Sequence, residues 1–397
     1  MTKLRGPSAL LHGLSYKVGS STHRCDFDAK YNSKHSFLQV TLILVDFGGI
    51  SAKKMKNFVF HFVLRSICTN FVAQMTQLDQ IRAALAADMQ RLNDIIRDTL
   101  LSDSVLMNSI VSRYLATKGK QLRPMLTLLS GRLFGQVNQR VLHAGAAIEI
   151  LHNATLIHDD VIDQAQQRRG APTINSVWDN HVAVLVGDYF VTGALRCAVK
   201  AQDTRVLEAL CNMGGDLSLG EINQFDNARN RSIDEQTYFK IIGKKTASLF
   251  ETCVAVAGYV NNAPQQQIEA LSHYARLLGL AFQIKDDTFD YYDANVGKPT
   301  GNDLREGKVT LPLIYALSRT DLPEQQDMCS LAQKQQLDTH DIDTLVDYAK
   351  RAGGIEYAHN TMQRLRHEAD ALLDSFTPCD TIQWLRSIFC YIIERDI

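Results

Sequence analysis

Proline is scarce, at eight in 397 residues, and tryptophan occurs twice. With so few helix breakers, long helices can run uninterrupted. A formal net charge of −1 excludes the strongly basic face that nucleic-acid binding needs. The eight cysteines (Cys25, Cys68, Cys197, Cys211, Cys253, Cys329, Cys379, Cys390) form no CxxC pair and no Cys/His cluster with zinc spacing. They read as small hydrophobes in a reducing cytosol. The most apolar window, Phe58 to Ala73, is short for a bilayer and is interrupted by His61 and Arg65, so no transmembrane span is expected. Alternating strand patterns are also missing.

What is present is helical periodicity. From about Met75 apolar residues recur at three- and four-residue intervals, as in Leu78, Ile81, Leu85, Met89, Leu92 and Ile96. Similar stretches follow to the C-terminus, with glycine between them. The expectation is an all-α fold, a single-domain helical bundle over residues 75–397. Residues 1–74 differ. They lack sustained periodicity and hold ten Lys/Arg against three Asp, whereas the remaining 323 residues hold 32 basic and 40 acidic side chains. Asp26, Asp28 and Asp46 count against a targeting segment, which is usually free of acids. An N-terminal extension outside the catalytic fold is the expected reading, and Met75 looks like a natural start.

Two segments carry the chemistry. Leu156-Ile-His-Asp-Asp-Val-Ile-Asp163 and Phe282-Gln-Ile-Lys-Asp-Asp-Thr-Phe-Asp290 each contain Asp-Asp-x-x-Asp inside an apolar helical run. At i and i+4, Asp159 and Asp163 share a helix face, as do Asp286 and Asp290, and like charges there repel unless a cation relieves them. A solvated acidic face is the plain alternative. Close apolar flanks argue against it, because carboxylates on a buried face need partners. Hard oxygen ligands suit Mg²⁺, which commonly bridges carboxylates to substrate phosphates. Asp159, Asp160, Asp163, Asp286, Asp287 and Asp290 are therefore the candidate metal ligands.

Cations accompany both triplets: Lys120 and Arg123 in Gly119-Lys-Gln-Leu-Arg-Pro124, then Arg168-Arg169-Gly170, then Lys244-Lys245-Thr246, then Lys298 and Lys308 in the stretch from Gly297 to Pro312. Any one of these alone would be a solvated surface charge. Their order around two acidic triplets is the informative part, since Arg forks match phosphate oxygens and Lys acts as a mobile point charge.

With these motifs in hand the chain resembles the trans-isoprenyl diphosphate synthases (polyprenyl synthetases), most of all the bacterial octaprenyl diphosphate synthases. The resemblance covers nearly all of 75–397. It rests on Gly-Lys-x-x-Arg-Pro, Leu151-His-Asn-Ala-Thr-Leu-Ile-His-Asp-Asp-Val-Ile-Asp163, Arg-Arg-Gly, Val186-Gly-Asp188, Lys245-Thr246, Phe282-Gln283 and Gly-Lys-x-Thr-Leu-Pro. It implies an isoprenoid-synthase bundle with a central apolar cavity, Mg²⁺ at three per active site with substrate bound, and a homodimer. It also implies that Lys120, Arg123, His152 and Arg169 hold isopentenyl diphosphate. Arg168, Lys245, Lys298 and Lys308 would hold an allylic diphosphate such as farnesyl diphosphate, and Thr246 and Gln283 would line the reaction centre. Asp159, Asp163, Asp286, Lys245, Thr246 and Gln283 are the implied catalytic residues. The chain departs from relatives in Ala116-Thr-Lys-Gly, which has fewer glycines, and in Lys285, where an apolar residue is common.

The implied reaction is ionisation of the allylic diphosphate, attack by isopentenyl diphosphate and loss of a proton, which the diphosphate product is expected to take. Thr155 and Ala154, four and five residues before the first triplet, are small and lie about a turn deeper along the helix. Eight isoprene units of about 5 Å need roughly 40 Å, the length of about 27 helical residues. A long product near forty carbons, for a quinone side chain, is expected, with Phe190, Leu195 or Val199 as candidate tunnel floor. A shorter geranylgeranyl or farnesyl product is the alternative. A class I terpene cyclase has no need for Lys120, Arg123, His152 and Arg169, and a non-catalytic subunit should have lost a triplet. A purely structural bundle would suffer from inward carboxylates. The expected location is cytoplasmic, with loose membrane association at most.

Overall fold

The computed structural model describes residues 10–18, 21–32, 37–42, 77–116, 119–231, 233–292 and 300–395. It divides into two compact units, Met1–Met75 and Thr76–Ile397. In the first unit, strands β1 (Leu10–Val18), β2 (Ser21–Asn32) and β3 (Phe37–Leu42) pair antiparallel in that order. These strands were not expected from the sequence. The β1–β2 register shifts between Leu11 and Leu14, and such a bulge interrupts the period of two by which a strand is recognised.

The second unit is all-α. Its helices of eight residues or more are α1 (Gln77–Leu100), α2 (Val105–Ala116), α3 (Leu122–Phe134), α4 (Gln139–Ile162), α5 (Asn180–Lys200), α6 (Thr204–Asn230) and α7 (Glu235–Ile242). They continue as α8 (Ser248–Val260), α9 (Gln265–Phe289), α10 (Leu311–Ser318), α11 (Gln325–Ala332), α12 (Thr339–Arg351), α13 (Gly354–Leu373) and α14 (Asp380–Glu394). On α1, Leu78, Ile81, Leu85, Leu92 and Ile96 are buried, as a one-faced helix requires.

The core is built round α4, which is enclosed on nearly every side from Val141 to Ala154. Small residues let its neighbours come close: a Cβ added at Gly145 would lie 3.0 Å from Leu92 and 3.1 Å from Thr127, so α1 and α3 pack directly on its backbone. Asn138 caps the helix by accepting from the Val141 amide. Helix α5 lies along α4, and α9 packs between α8 and α13.

The Phe58–Ala73 window falls outside the described residues. Among the described residues only α5 is long and apolar enough to cross a membrane, and 44% of its apolar window is buried in the bundle.

Candidate active site

Both acidic triplets sit at helix C-termini. Asp163 is the C-cap of α4 and Asp290 the C-cap of α9. The negative end of a helix dipole disfavours carboxylates, and burial compounds the effect. Asp159 is pushed up from 3.8 to about 6 by burial and by Glu221, against the pull of Lys245. Burial also raises Asp286, although Arg395 opposes it, and raises Asp287 well above the carboxylate range, helped by Asp303. Asp160 and Asp290 are raised by burial too. The protein holds these acids in charged form only at a cost, which a cation would relieve.

The two helix ends meet at one cavity of about 570 Å³. Its walls include Asp159 and Asp286 with Arg123, His152, Thr155, Arg168, Lys245, Thr246 and Gln283. A smaller cavity of about 120 Å³ shares Lys245, Thr246 and Gln283 and adds Asp287, Tyr238 and Lys308. The remaining acids are turned elsewhere. Asp160 accepts from Arg168 Nε at 2.8 Å. Asp287 accepts from Tyr238 at 2.6 Å and Gln283 at 2.8 Å. Asp290 accepts the backbone N–H groups of Asn302 and Asp303 at 2.9 and 3.0 Å. Asp163 does not line the larger cavity. Of the six candidate ligands, one carboxylate from each triplet thus faces the larger cavity, and among the described residues no three His, Cys, Asp or Glu side chains share a point.

Local geometry explains the placing of the cations. Arg168 and Arg169 ride on a two-residue hairpin, Gln167–Arg168 against Ala171–Pro172, whose turn residues Arg169 and Gly170 have φ of 54° and 74°. Lys245 and Thr246 lie in a π-helical turn, Gly243–Ala247, between α7 and α8. That turn is wedged between two glycines. A Cβ at Gly220 of α6 would lie 2.8 Å from the Lys245 backbone nitrogen, and one at Gly279 of α9 would lie 2.6 Å from Ala247 Cα. Lys245 is ion-paired with Glu221 and donates to Gln224 at 3.0 Å. Thr246 donates to Gln283 at 2.7 Å.

Arg123 is deeply buried over the Phe250 ring, its Nε has no hydrogen-bond partner among the described residues, and burial lowers its pKa against the pull of Glu149. His152 is held neutral by burial and by Arg123, Arg169 and Arg168. Arg169 lies off the larger cavity, its guanidinium packed against Gly119. Lys120 is 5.7 Å above the Tyr391 ring. Lys308 pairs with Glu306 at 2.5 Å. Lys298 lies outside the described residues. Of the two small residues, Thr155 lines the cavity, whereas Ala154 is fully enclosed in the core. Among the floor candidates Phe190 is buried edge-on to Tyr114, but Leu195 and Val199 are 40% and 66% exposed on the single chain.

Sequence reading missed Glu221, Gln224, Tyr238 and Arg395. Glu221 and Gln224 stand three apart in Gly220-Glu-Ile-Asn-Gln, one helix face, which is a legible signal. Arg395 carried none: nothing local shows that the end of α14 reaches Asp286.

The pattern of the polyprenyl synthetase family matches residues 104–349. The octaprenyl diphosphate synthase of Escherichia coli (strain K12) is 33% identical over 313 residues, spanning 78% of this chain and 96% of that protein. A decaprenyl diphosphate synthase structure from Rhodobacter capsulatus superposes with a TM-score of 0.75 at 34% identity, covering 80% of this chain and 98% of that one. A polyprenyl synthase from Caulobacter crescentus CB15, solved with calcium and isoprenyl diphosphate, gives 0.74 at 30% identity, covering 80% and 98%.

Proposed function

The chain belongs to the polyprenyl synthetase family, and from that premise we propose that it adds isopentenyl diphosphate to farnesyl diphosphate with Mg²⁺ to make a product near forty carbons for a quinone side chain. That it is a trans-prenyl diphosphate synthase follows from the family itself. The carrying observation is that Asp159 of α4 and Asp286 of α9 line one cavity together with Arg123, Arg168 and Lys245.

The donors fit a hard divalent cation: all are carboxylate oxygens, and burial makes their charge unfavourable without one. Among the described residues no three such acids converge. Asp159 and Asp286 would hold such a cation at the larger cavity, where it would supply charge neutralisation for a departing diphosphate. The chain's own residues do the rest. Lys245 and Arg168 both line the cavity, each already held by an acid, Glu221 or Asp160, that a diphosphate would replace. A unit charge pair 4 Å apart is worth about 4 kcal/mol at an effective dielectric near 20, so several such contacts lower a heterolysis barrier substantially. Arg123 and neutral His152, also lining the cavity, offer donors for isopentenyl diphosphate. The Thr246–Gln283 pair fixes the polar edge between the cavities.

A second copy of the chain fits an apolar face. Val184, Leu185, Leu195 and Val199 on α5, with Leu219 and Phe225 on α6, are 40–72% exposed. So large an apolar surface marks an interface, and a homodimer is proposed.

Incubation of the protein with Mg²⁺, farnesyl diphosphate and labelled isopentenyl diphosphate, followed by sizing of dephosphorylated products, tests this reading. The expected product has about forty carbons, and Asp159→Ala and Asp286→Ala should each abolish it. Near-normal turnover in either variant would overturn the site.

A further inference from the structure

Arg395, the first residue beyond α14, is the least expected member of the site. Its side chain is 5% exposed and its Nη2 is ion-paired to Asp286 Oδ1. The guanidinium stacks 4.4 Å above Phe282 and 5.5 Å from Phe289, and Nη2 also donates to the Phe282 carbonyl at 3.3 Å. Its Nε is buried with no hydrogen-bond partner among the described residues. Phe282, Asp286 and Phe289 all belong to α9, so the one side chain ties the end of α14 to the helix that carries the second triplet. Asp286 meanwhile lines the cavity.

We propose that Arg395 is the resident counter-cation of Asp286, and that a divalent ion must displace it to load the second triplet. The inference rests on the metal-binding role proposed for the triplets. A doubly charged ion on the Asp286 carboxylate would stand beside a buried guanidinium in a poorly screened setting, where like charges repel strongly. What would then still hold Arg395 is one carbonyl and two ring faces. Loading of the metal and undocking of the end of α14 are thereby the same event, and linkage makes the coupling reciprocal. Arg395 also gives Asp286 an ion-pair partner while the site is bare.

The test is titration of the full chain with Mn²⁺ alone, followed by electron paramagnetic resonance of the free ion, for wild type, Arg395→Met and Arg395→Lys. Methionine keeps the apolar stem over Phe282 and removes the charge. Arg395→Met should bind Mn²⁺ about tenfold more tightly, within the usual range of coupling between sites. Arg395→Lys should stay near wild type, and Asp286→Asn should erase the difference. Equal or weaker binding by Arg395→Met overturns the proposal, because an arginine that merely orients the carboxylate would aid the metal. Should methionine unfold the protein, hydrogen exchange of wild type decides: Mn²⁺ should speed exchange of the amides at residues 391–395, and unchanged or slower exchange overturns displacement. Failure of wild type to bind Mn²⁺ at all would overturn the metal-binding role as well, which separates the two failures.

Discussion

Asp159 shows what a single residue gives up to serve this site. Its folded pKa of about 6 lies above the ordinary 3.8, so the folded protein holds its proton more tightly than the unfolded chain does. Stability from this group is therefore fully present below about pH 4 and is lost as pH rises through about 6. Without metal, Asp159→Asn should match wild type near pH 3.5 and exceed it near pH 7.5, by on the order of 1 kcal/mol after allowance for solvent screening. Thermal melts at the two pH values check the sign, and a crossover in the other direction would contradict it. Added Mg²⁺ should raise the wild-type melting temperature more at pH 7.5 than at pH 5, because at the lower pH the ion must first displace protons. The acids themselves were plain in the sequence, since two carboxylate triplets inside apolar helical runs are costly to fold unless a cation binds them. Their orientations were not. Asp290 accepting two backbone N–H groups from residues 302 and 303, or Asp160 gripped by Arg168, depends on loops whose course no periodicity reports.

At the scale of elements, the π-helical turn that presents Lys245 and Thr246 exists because two helices give it room. Gly220 and Gly279 are legible as glycines within helical runs, but the reason for them is tertiary: a backbone that passes within 3 Å of each missing side chain. Gly279→Ala should therefore cost about 1–3 kcal/mol in chemical denaturation, as overpacking does. By shifting Lys245 and Thr246 it should also lower kcat/KM for the allylic diphosphate by about tenfold or more. Loss of stability with unchanged kinetics would separate the turn from catalysis. Helix α4 carries the second element-scale claim. An aromatic residue in place of the cavity-lining Thr155 should block the apolar tail and shorten the product, read by chromatography after dephosphorylation. The same change at fully enclosed Ala154 should chiefly destabilise the fold. Sequence spacing placed the two side by side, and helix geometry, turning about 100° per residue, sends them to different surroundings.

For the whole molecule, the telling feature is a helix that looks like core and is not entirely core. Helix α5 is apolar on most of its circumference, and a helix of that kind reads as buried. The structure instead leaves Val184, Leu185, Leu195 and Val199, which share one broad face, at 42%, 67%, 40% and 66% exposure, with Phe225 of α6 at 72%. Leu195 and Val199, named from the sequence as candidate tunnel floor, thus lie where a second copy would seat. Leu195→Glu with Val199→Glu places two charges on that face while touching no residue of the cavity. In sedimentation the variant should run as a monomer where wild type runs as a dimer, and its melting temperature should fall, since burial across the interface is lost. A dimer that survives both charges would move the interface off α5. A monomer that melts like wild type would show instead that α5 needs no cover to be stable.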